Sequence, residues 1–366
     1  MQLEGPATSR PSRRQVLAAL LIGGASPWSA RAALRRSPVV RYRWDSENNV
    51  LAPLGYQHGQ LLFAGDRSVG RIDSSSHAMV WNVAHTLTQP AVFRPRSTGS
   101  LVLCGSLNRI GAWTVEEGRA AWHYTASVQL GTPWVTARHT FMGDGHQLLA
   151  IENSSGKVIW RFAGTPDTLT SYSPTVTGNT VLFGPGNGLL YGLSTDDGAV
   201  LWTLDRSKEW QYLRQLYVSG DILIAGSYKE LLYGISVSTG AVLWTFNAGN
   251  FINSHHVAGD TAYLWSPTGW IFALDVLSGK LRWRHQTTNY RQSDANWGPL
   301  MAELATHGDY LHALDMRHIL HVLHARTGEE AMQIPFGYPL RPSFVPISGE
   351  SVIVATERGE IQEVQW

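Results

Sequence analysis

Four segments of the sequence align on one another without a gap: LLAIENSSGKVIWRF ending at Phe162, LYGLSTDDGAVLWTL at Leu204, LYGISVSTGAVLWTF at Phe246 and IFALDVLSGKLRWRH at His285. In each, Gly stands four residues before Trp. IGAWTVEEGRAAWHY repeats the pattern with Gly118 and Trp122, VGRIDSSSHAMVWNV carries His77 in the Gly position before Trp81, and LHVLHARTGEEAMQI keeps Gly328 but has Met332 for Trp. Positions 81, 122, 160, 202, 244, 283 and 332 are spaced by about 42 residues on average, the length of a propeller blade. Within one period, SGDILIAGSYKELLYGISVSTGAVLWTF from Ser219 reads as strand, hairpin, strand, tight turn and strand, with β-branched and aromatic residues alternating between turns. Gly in TDDG, STG and LSG suits the left-handed positions of such turns. Frequent Gly and Pro leave no long helical periodicity.

The ends of the chain complete the pattern. Residues 342–366 hold three strand-like runs, PSFVPIS, SVIVATE and EIQEVQW, without a Trp-bearing fourth. VVRYRW near the other end supplies one, with Trp44 a repeat period before Trp81. The expectation is an all-β, eight-bladed β-propeller forming one domain over residues 38–366, its ring closed by an N-terminal strand that pairs with the C-terminal blade and removes free sheet edges. Hydrophobic residues make up 43% and charged residues 16%, a globular composition. A net charge of +1 gives no broad basic footprint, so nucleic acid is not an expected partner.

The pattern LYxL-D/S-xx-TG-xxxW resembles the pyrroloquinoline-quinone-like repeat of eight-bladed propellers, and it covers the chain from Pro38 to Trp366. The resemblance implies that the repeated Trp packs between neighbouring blades, a structural use of a large flat side chain. In repeat type, blade number and length the chain is similar to the propeller subunit of the outer-membrane barrel assembly machinery, which implies an envelope scaffold. Quinoprotein dehydrogenases of this repeat type are longer, with adjacent cysteines beside the quinone and Glu, Asn and Asp ligands to calcium. Here Cys104 stands alone, in the apolar run LVLCG, so the cysteine pair is impossible and a buried structural thiol is expected. No cluster supplies the roughly six to eight oxygens that calcium takes. The expected cofactor content is therefore none, with neither quinone nor metal supported.

No catalytic residue is assigned. The GxSxG, HExxH and GxxxxGK[ST] patterns are missing, and GPGNG at Gly184–Gly188 reads as a hairpin turn. Aligning GDYLHALDMRHILHVLH with GDILIAGSYKELLYGIS puts His312 opposite Ile224 and His321 opposite Tyr233, on adjacent strands of one blade, as candidate cross-strand neighbours. His318 and His324 alternate onto the other face from His321, so the pair falls short of the about three or four ligands a metal needs.

In a propeller the innermost strand of each blade lines a central channel. Pro marks the entries to those strands at Pro53, Pro90, Pro133, Pro174, Pro299 and Pro342, with Leu216 and His255 in the remaining slots, because the first residue of a strand need not donate to the ladder. Beside these slots, Gln89, Trp134, Tyr172, Arg214, Asn253, His255, Trp297 and Arg341 form the expected ligand-binding ring at the channel mouth, aromatic area with a few polar groups. Channel-filling side chains and water account for the same residues equally well.

Arg10, Arg13 and Arg14 precede the apolar run Val16–Ile22 and the small-residue site Ala30-Arg31-Ala32, the order of an export signal over residues 1–33. The run is shorter than the about 20 residues that cross a bilayer, so no transmembrane helix is expected. SRRQVLAAL at Ser12–Leu20 resembles a twin-arginine signal. These readings place the mature chain in the periplasm or the medium. Together they describe an exported, non-catalytic binding or scaffold propeller that engages an envelope protein or a small ligand. The alternative is a small quinoprotein-like oxidoreductase holding a cofactor or metal in its channel.

Overall fold

The computed structural model describes residues 33–164, 168–209, 215–226, 230–249, 254–266, 269–287 and 303–366, so the expected export segment lies outside the described residues except for Ala33. The described chain from Leu34 onward forms eight sheets, the blades of a propeller. The first blade runs outward through Gly55–Gln57, Gln60–Ala64, Ser68–Asp73 and Ala78–Ala84. Five more repeat that order, and the seventh comprises Glu303–His307, Tyr310–Leu314, Ile319–His324 and Glu330–Pro335. Among the described residues no helix is long and apolar enough to cross a membrane.

The core lies between blades because alternate residues of a strand face opposite sides. Leu61, Phe63 and Ile72 of the first blade pack on Ile353 and Ile361 of the eighth, whereas Leu62, Ala64 and Val69 pack on Val102, Cys104 and Trp113 of the second. Burying each such side chain contributes roughly 1.5–3 kcal/mol.

The repeated Trp ties each blade to the next. The indole N–H of Trp81 donates to the Val115 carbonyl at 2.8 Å, that of Trp160 to Thr195 at 2.9 Å, that of Trp202 to Val237 at 2.8 Å and that of Trp283 to Ala325 at 2.9 Å. Trp122 and Trp244 bond Asn153 and Val276 in the same way. Every acceptor precedes the next blade's turn Gly by three residues, and that Gly lets the ring lie flat. A Cβ on Gly118, Gly198 or Gly240 would come within 2.7, 2.8 or 2.5 Å of the incoming Trp. The same glycines hold φ of 68°, 73° and 72°, so backbone and space both require them.

Val39–Asp45 is the outer strand of the eighth blade, antiparallel to Glu360–Gln365 and followed inward by Ser351–Thr356 and Leu340–Ser348. The ring therefore closes as expected from the sequence. One detail is corrected: Tyr42, not Trp44, lies opposite Glu363, the register in which Trp202 faces Gly192 and Trp244 faces Gly234. The bulge between Val40 and Tyr42 matches the one beside Trp202 and Trp244, and Trp44 sits opposite Ile361, where Leu204 and Phe246 stand in those blades. Leu34–Arg35 adds a short parallel strand to the seventh blade, pairing Leu34 with Met332.

Candidate functional site

The turn between the inner and second strands fixes which inner-strand residues are equivalent. It joins Gln57 to Gln60, Thr177 to Thr180, Ser219 to Ile222, Ala258 to Thr261 and His307 to Tyr310. Backbone bonds from Thr98 N to the Leu101 carbonyl and from Thr136 N to the His139 carbonyl close the same turn in the second and third blades. Counting back three residues aligns Leu54, Pro95, Pro133, Pro174, Leu216, His255 and Leu304. Leu54, Pro95 and Leu304 thus hold the slots that Pro53, Pro90 and Pro299 were expected to mark, and Pro299 lies outside the described residues. Proline tolerates several positions along an inner edge, so it is a poor register marker.

The positions flanking the true slots carry Arg94 and Arg96 in the second blade, Trp134 in the third, Tyr217 in the fifth, His256 in the sixth and Glu303 in the seventh. Arg94 and Glu303 form an ion pair although the first and eighth blades lie between theirs, so the contact spans the channel. The other Glu303 oxygen accepts from the Phe344 backbone N–H at 3.2 Å. His255, only 4% exposed, meets the Tyr217 ring edge to face at 4.3 Å. His256 shares a 3.0 Å hydrogen bond with Thr306 Oγ1.

Enclosure by the protein, with Arg94 beside it, holds the Arg96 guanidinium below the usual arginine range, against the pull of Glu303 and Tyr217. Enclosure also raises the Tyr217 phenol, helped by the Glu303 charge, although 38% of Tyr217 is open to channel water. Burial pushes His256 down to about 4. At neutral pH Tyr217 and His256 are thus neutral beside the Arg94 and Arg96 guanidinium groups and the Glu303 carboxylate. Arg96 is solvent-exposed in the lumen, and among the described residues its guanidinium makes no hydrogen bond or ion pair.

Of the expected ring, the structure brings His255 to Tyr217 and places half-buried Trp134 at the register of Arg96 and Tyr217. Tyr172 is half-buried over Gly186, whose Cβ would come within 2.8 Å of its ring. Gln89 is exposed and Arg341 is half-buried in the eighth blade's inner strand. Arg214, Asn253 and Trp297 lie outside the described residues. Sequence reasoning missed Arg94, Arg96, Tyr217 and Glu303, which the Gly-bearing hairpins of RPRSTGSL, LYVSGDIL and ELATHGDYL would have aligned.

His312 and His321 are not cross-strand neighbours. His312 pairs with Val322 and His321 with Ala313, which puts their side chains on opposite faces of the seventh blade. His312 is fully buried toward the eighth blade, 6.4 Å from the Trp366 ring, and burial pushes it down to about 4. His321 faces the sixth blade. Burial opposes its charge, but hydrogen bonds to Asp315 at 3.4 Å and Glu330 at 2.6 Å raise its pKa. Glu330 in turn is held at about 2 despite burial by hydrogen bonds from His285 and His321.

The described channel residues do not supply the donor set of a calcium-held quinone. Glu303, the single carboxylate on the described inner strands, is committed to Arg94, and Cys104 is buried between the first and second blades with its thiol pushed up by desolvation. Among the described residues no three His, Cys, Asp or Glu groups gather as metal ligands.

No curated protein sequence matches the chain. Among solved structures, BamB from Moraxella catarrhalis is similar at 17% identity and a TM-score of 0.68, over 90% of this chain and 98% of that one. Sqt1 from Saccharomyces cerevisiae superposes with a TM-score of 0.74 at 13% identity, over 90% of this chain and 100% of its own. A quinohemoprotein alcohol dehydrogenase from Pseudomonas putida HK5 does so with 0.66 at 12% identity, over 90% of this chain and 76% of its own. Identities this low establish a shared fold and nothing about chemistry. A family profile described as outer membrane protein assembly factor BamB matches residues 65–208, 106–245 and 214–341. Because these overlapping segments run from the first blade into the eighth, the chain belongs to the PQQ-like repeat family of outer membrane protein assembly factor BamB.

Proposed function

We propose that this chain is an exported binding propeller of the cell envelope, which holds a partner protein or a small ligand at its channel and is not an enzyme. The observation that carries the reading is the lumen: a guanidinium left open at Arg96, with the aromatic surfaces of Trp134 and Tyr217 at the same register. Planar donors with aromatic area are recognition groups. Membership of a family described by an outer-membrane assembly factor supports an envelope role. The arginine-led segment of residues 1–33 supports export by the twin-arginine route, leaving a propeller of residues 38–366.

Cell fractionation, cross-linking and capture test this reading. Mature protein is expected in the periplasm, retaining an envelope protein, and the double substitution Arg13→Lys with Arg14→Lys is expected to strand the precursor in the cytoplasm. A stoichiometric chromophore or metal on the purified protein, with alcohol oxidation by an artificial electron acceptor, would overturn it in favour of a quinoprotein-like enzyme.

A further inference from the structure

We infer that the propeller channel is a binding site for one carboxylate group, gripped by Arg96. The inference rests on reading the molecule as a binding propeller, and it names the chemistry that the propeller receives. Arg94, Arg96 and Glu303 leave the described channel cluster with one net positive charge. Glu303 accepts from both Arg94 and the Phe344 backbone and makes no hydrogen bond to Arg96, so its single charge is shared between two guanidinium groups. The lumen walls limit solvent screening, so the open Arg96 charge attracts an incoming anion more strongly than an arginine on a convex surface would.

Charge and geometry select the anion. A guanidinium offers a planar fork of donors that matches a carboxylate with two parallel hydrogen bonds. A monoanion brings the cluster to neutrality. A phosphate dianion would reverse its sign and set excess negative charge against Glu303. Tyr217 is kept protonated by its enclosure and brings an O–H donor to the same cluster, its ring braced by the edge of His255. Trp134, in the blade next to that of Arg96 and at the same register, offers an apolar face for the body of the acid. A peptide's acidic residue or C-terminus and a small organic acid present the same group.

Calorimetric titration of the purified mature protein at fixed ionic strength and about pH 8, where phosphate is mostly dianion, tests this, with benzoate, an N-acetylated hexapeptide of glycine and inorganic phosphate as probes. Benzoate or the hexapeptide is expected to bind and to raise the melting temperature, phosphate to do neither, and Arg96→Gln to weaken binding at least about tenfold. Displacement of benzoate by the hexapeptide assigns the carboxylate to a polypeptide; binding of benzoate alone assigns it to a small acid. Equal affinity in Arg96→Gln, equal binding of phosphate, or no binding of either carboxylate would overturn the inference. If Arg96→Gln does not fold, Arg96→Lys keeps the charge without the fork, and less than about a threefold loss there overturns it equally. Failure of this titration leaves the partner capture standing, and failure of the capture leaves the titration standing.

Discussion

From the first blade to the seventh, each joint is an indole laid on the next blade's turn Gly with its N–H on a nearby carbonyl, as in Trp202 on Gly240 and Val237. The two joints that flank the eighth blade are built differently. At the seventh, Met332 stands opposite Val322 in the Trp register. The eighth blade takes its outer strand from Val39–Asp45, so no third-to-outer turn presents a Gly or a carbonyl there. An indole N–H buried without an acceptor would cost about 1–3 kcal/mol, and Met carries no such donor. At the first blade, the Tyr42 ring stacks 3.4 Å from His77, whose Nε2 meets Glu363 at 3.0 Å, while the Trp44 indole donates to the His77 carbonyl at 2.9 Å. Arg43 and Glu360 add an ion pair at 3.0 Å. The difference shows that the Trp latch needs a turn and an outer strand contiguous in sequence. Where a distant strand closes the ring, stacking and polar pairs replace it.

The strongest way to break this comparison is to remove residues 38–44. That exposes the Glu360–Gln365 edge and takes away Tyr42, Arg43 and Trp44 together. The loss approaches the whole stability of a typical domain, about 5–15 kcal/mol, so the cooperative melting transition should disappear in scanning calorimetry. A truncated chain that melts as sharply and as high as the intact one would show that the seam contributes nothing.

Next in size is a paired substitution across the two kinds of joint. Trp202→Ala should cost about 3–5 kcal/mol in urea denaturation, because it leaves a cavity beside Gly192 and Gly240 and frees the Val237 carbonyl. Met332→Ala, at a half-buried site under Leu34, should cost about 1–2 kcal/mol. Equal costs would mean that the seventh joint is a latch of the ordinary kind.

The ring was legible because a Gly and Trp at fixed spacing recur, and its closure because residues 342–366 lack a fourth strand. The seam's details were not. Trp44 looks like the repeat Trp, but the pairing puts Tyr42 in that register and Trp44 where Leu204 and Phe246 stand, and two residues such as Leu34–Arg35 have no period to read. The His312 alignment with Ile224 was sound, yet Ile224 pairs with Gly234 rather than Tyr233, so alignment without pairing misjudged the facing residue. In the channel only His255 and Trp134 came from sequence among the residues now brought together. Arg94 and Glu303 are distant in sequence, and nothing local says that their blades meet across a lumen.

The two faces of the seventh blade offer a third contrast, in pH. His312, toward the seam, has its pKa lowered from 6.5 to about 4, so the unfolded chain takes up a proton that the folded one refuses. Stability should be intact above pH 6.5 and fall as pH drops toward 4, by roughly 3 kcal/mol, with His256 adding a similar slope. His321, toward the regular joint, has a raised pKa, so its contribution is complete below 6.5 and lost as pH rises through the folded value. His312→Leu should therefore flatten part of the acid slope in denaturation series at pH 4.5 and 7. An unchanged slope would place the acid sensitivity away from the seam.

The smallest effect sharpens the comparison most, because it exchanges the turn residue itself. Gly240→Ala puts a Cβ 2.5 Å from the Trp202 ring at φ 72°, and should cost about 1–3 kcal/mol. His77 already carries a side chain at φ 57°, with Tyr42 stacked on it. Replacing it by Gly relieves left-handed strain of roughly 1–2 kcal/mol and forfeits a stack worth about 0.5–1.5 kcal/mol together with the Glu363 contact. These terms nearly cancel, so the denaturation midpoint of His77→Gly should stay within about 1 kcal/mol of the parent. If His77→Gly instead costs as much as Trp202→Ala, the histidine stack is the seam's own latch, equal in strength to the indoles elsewhere in the ring.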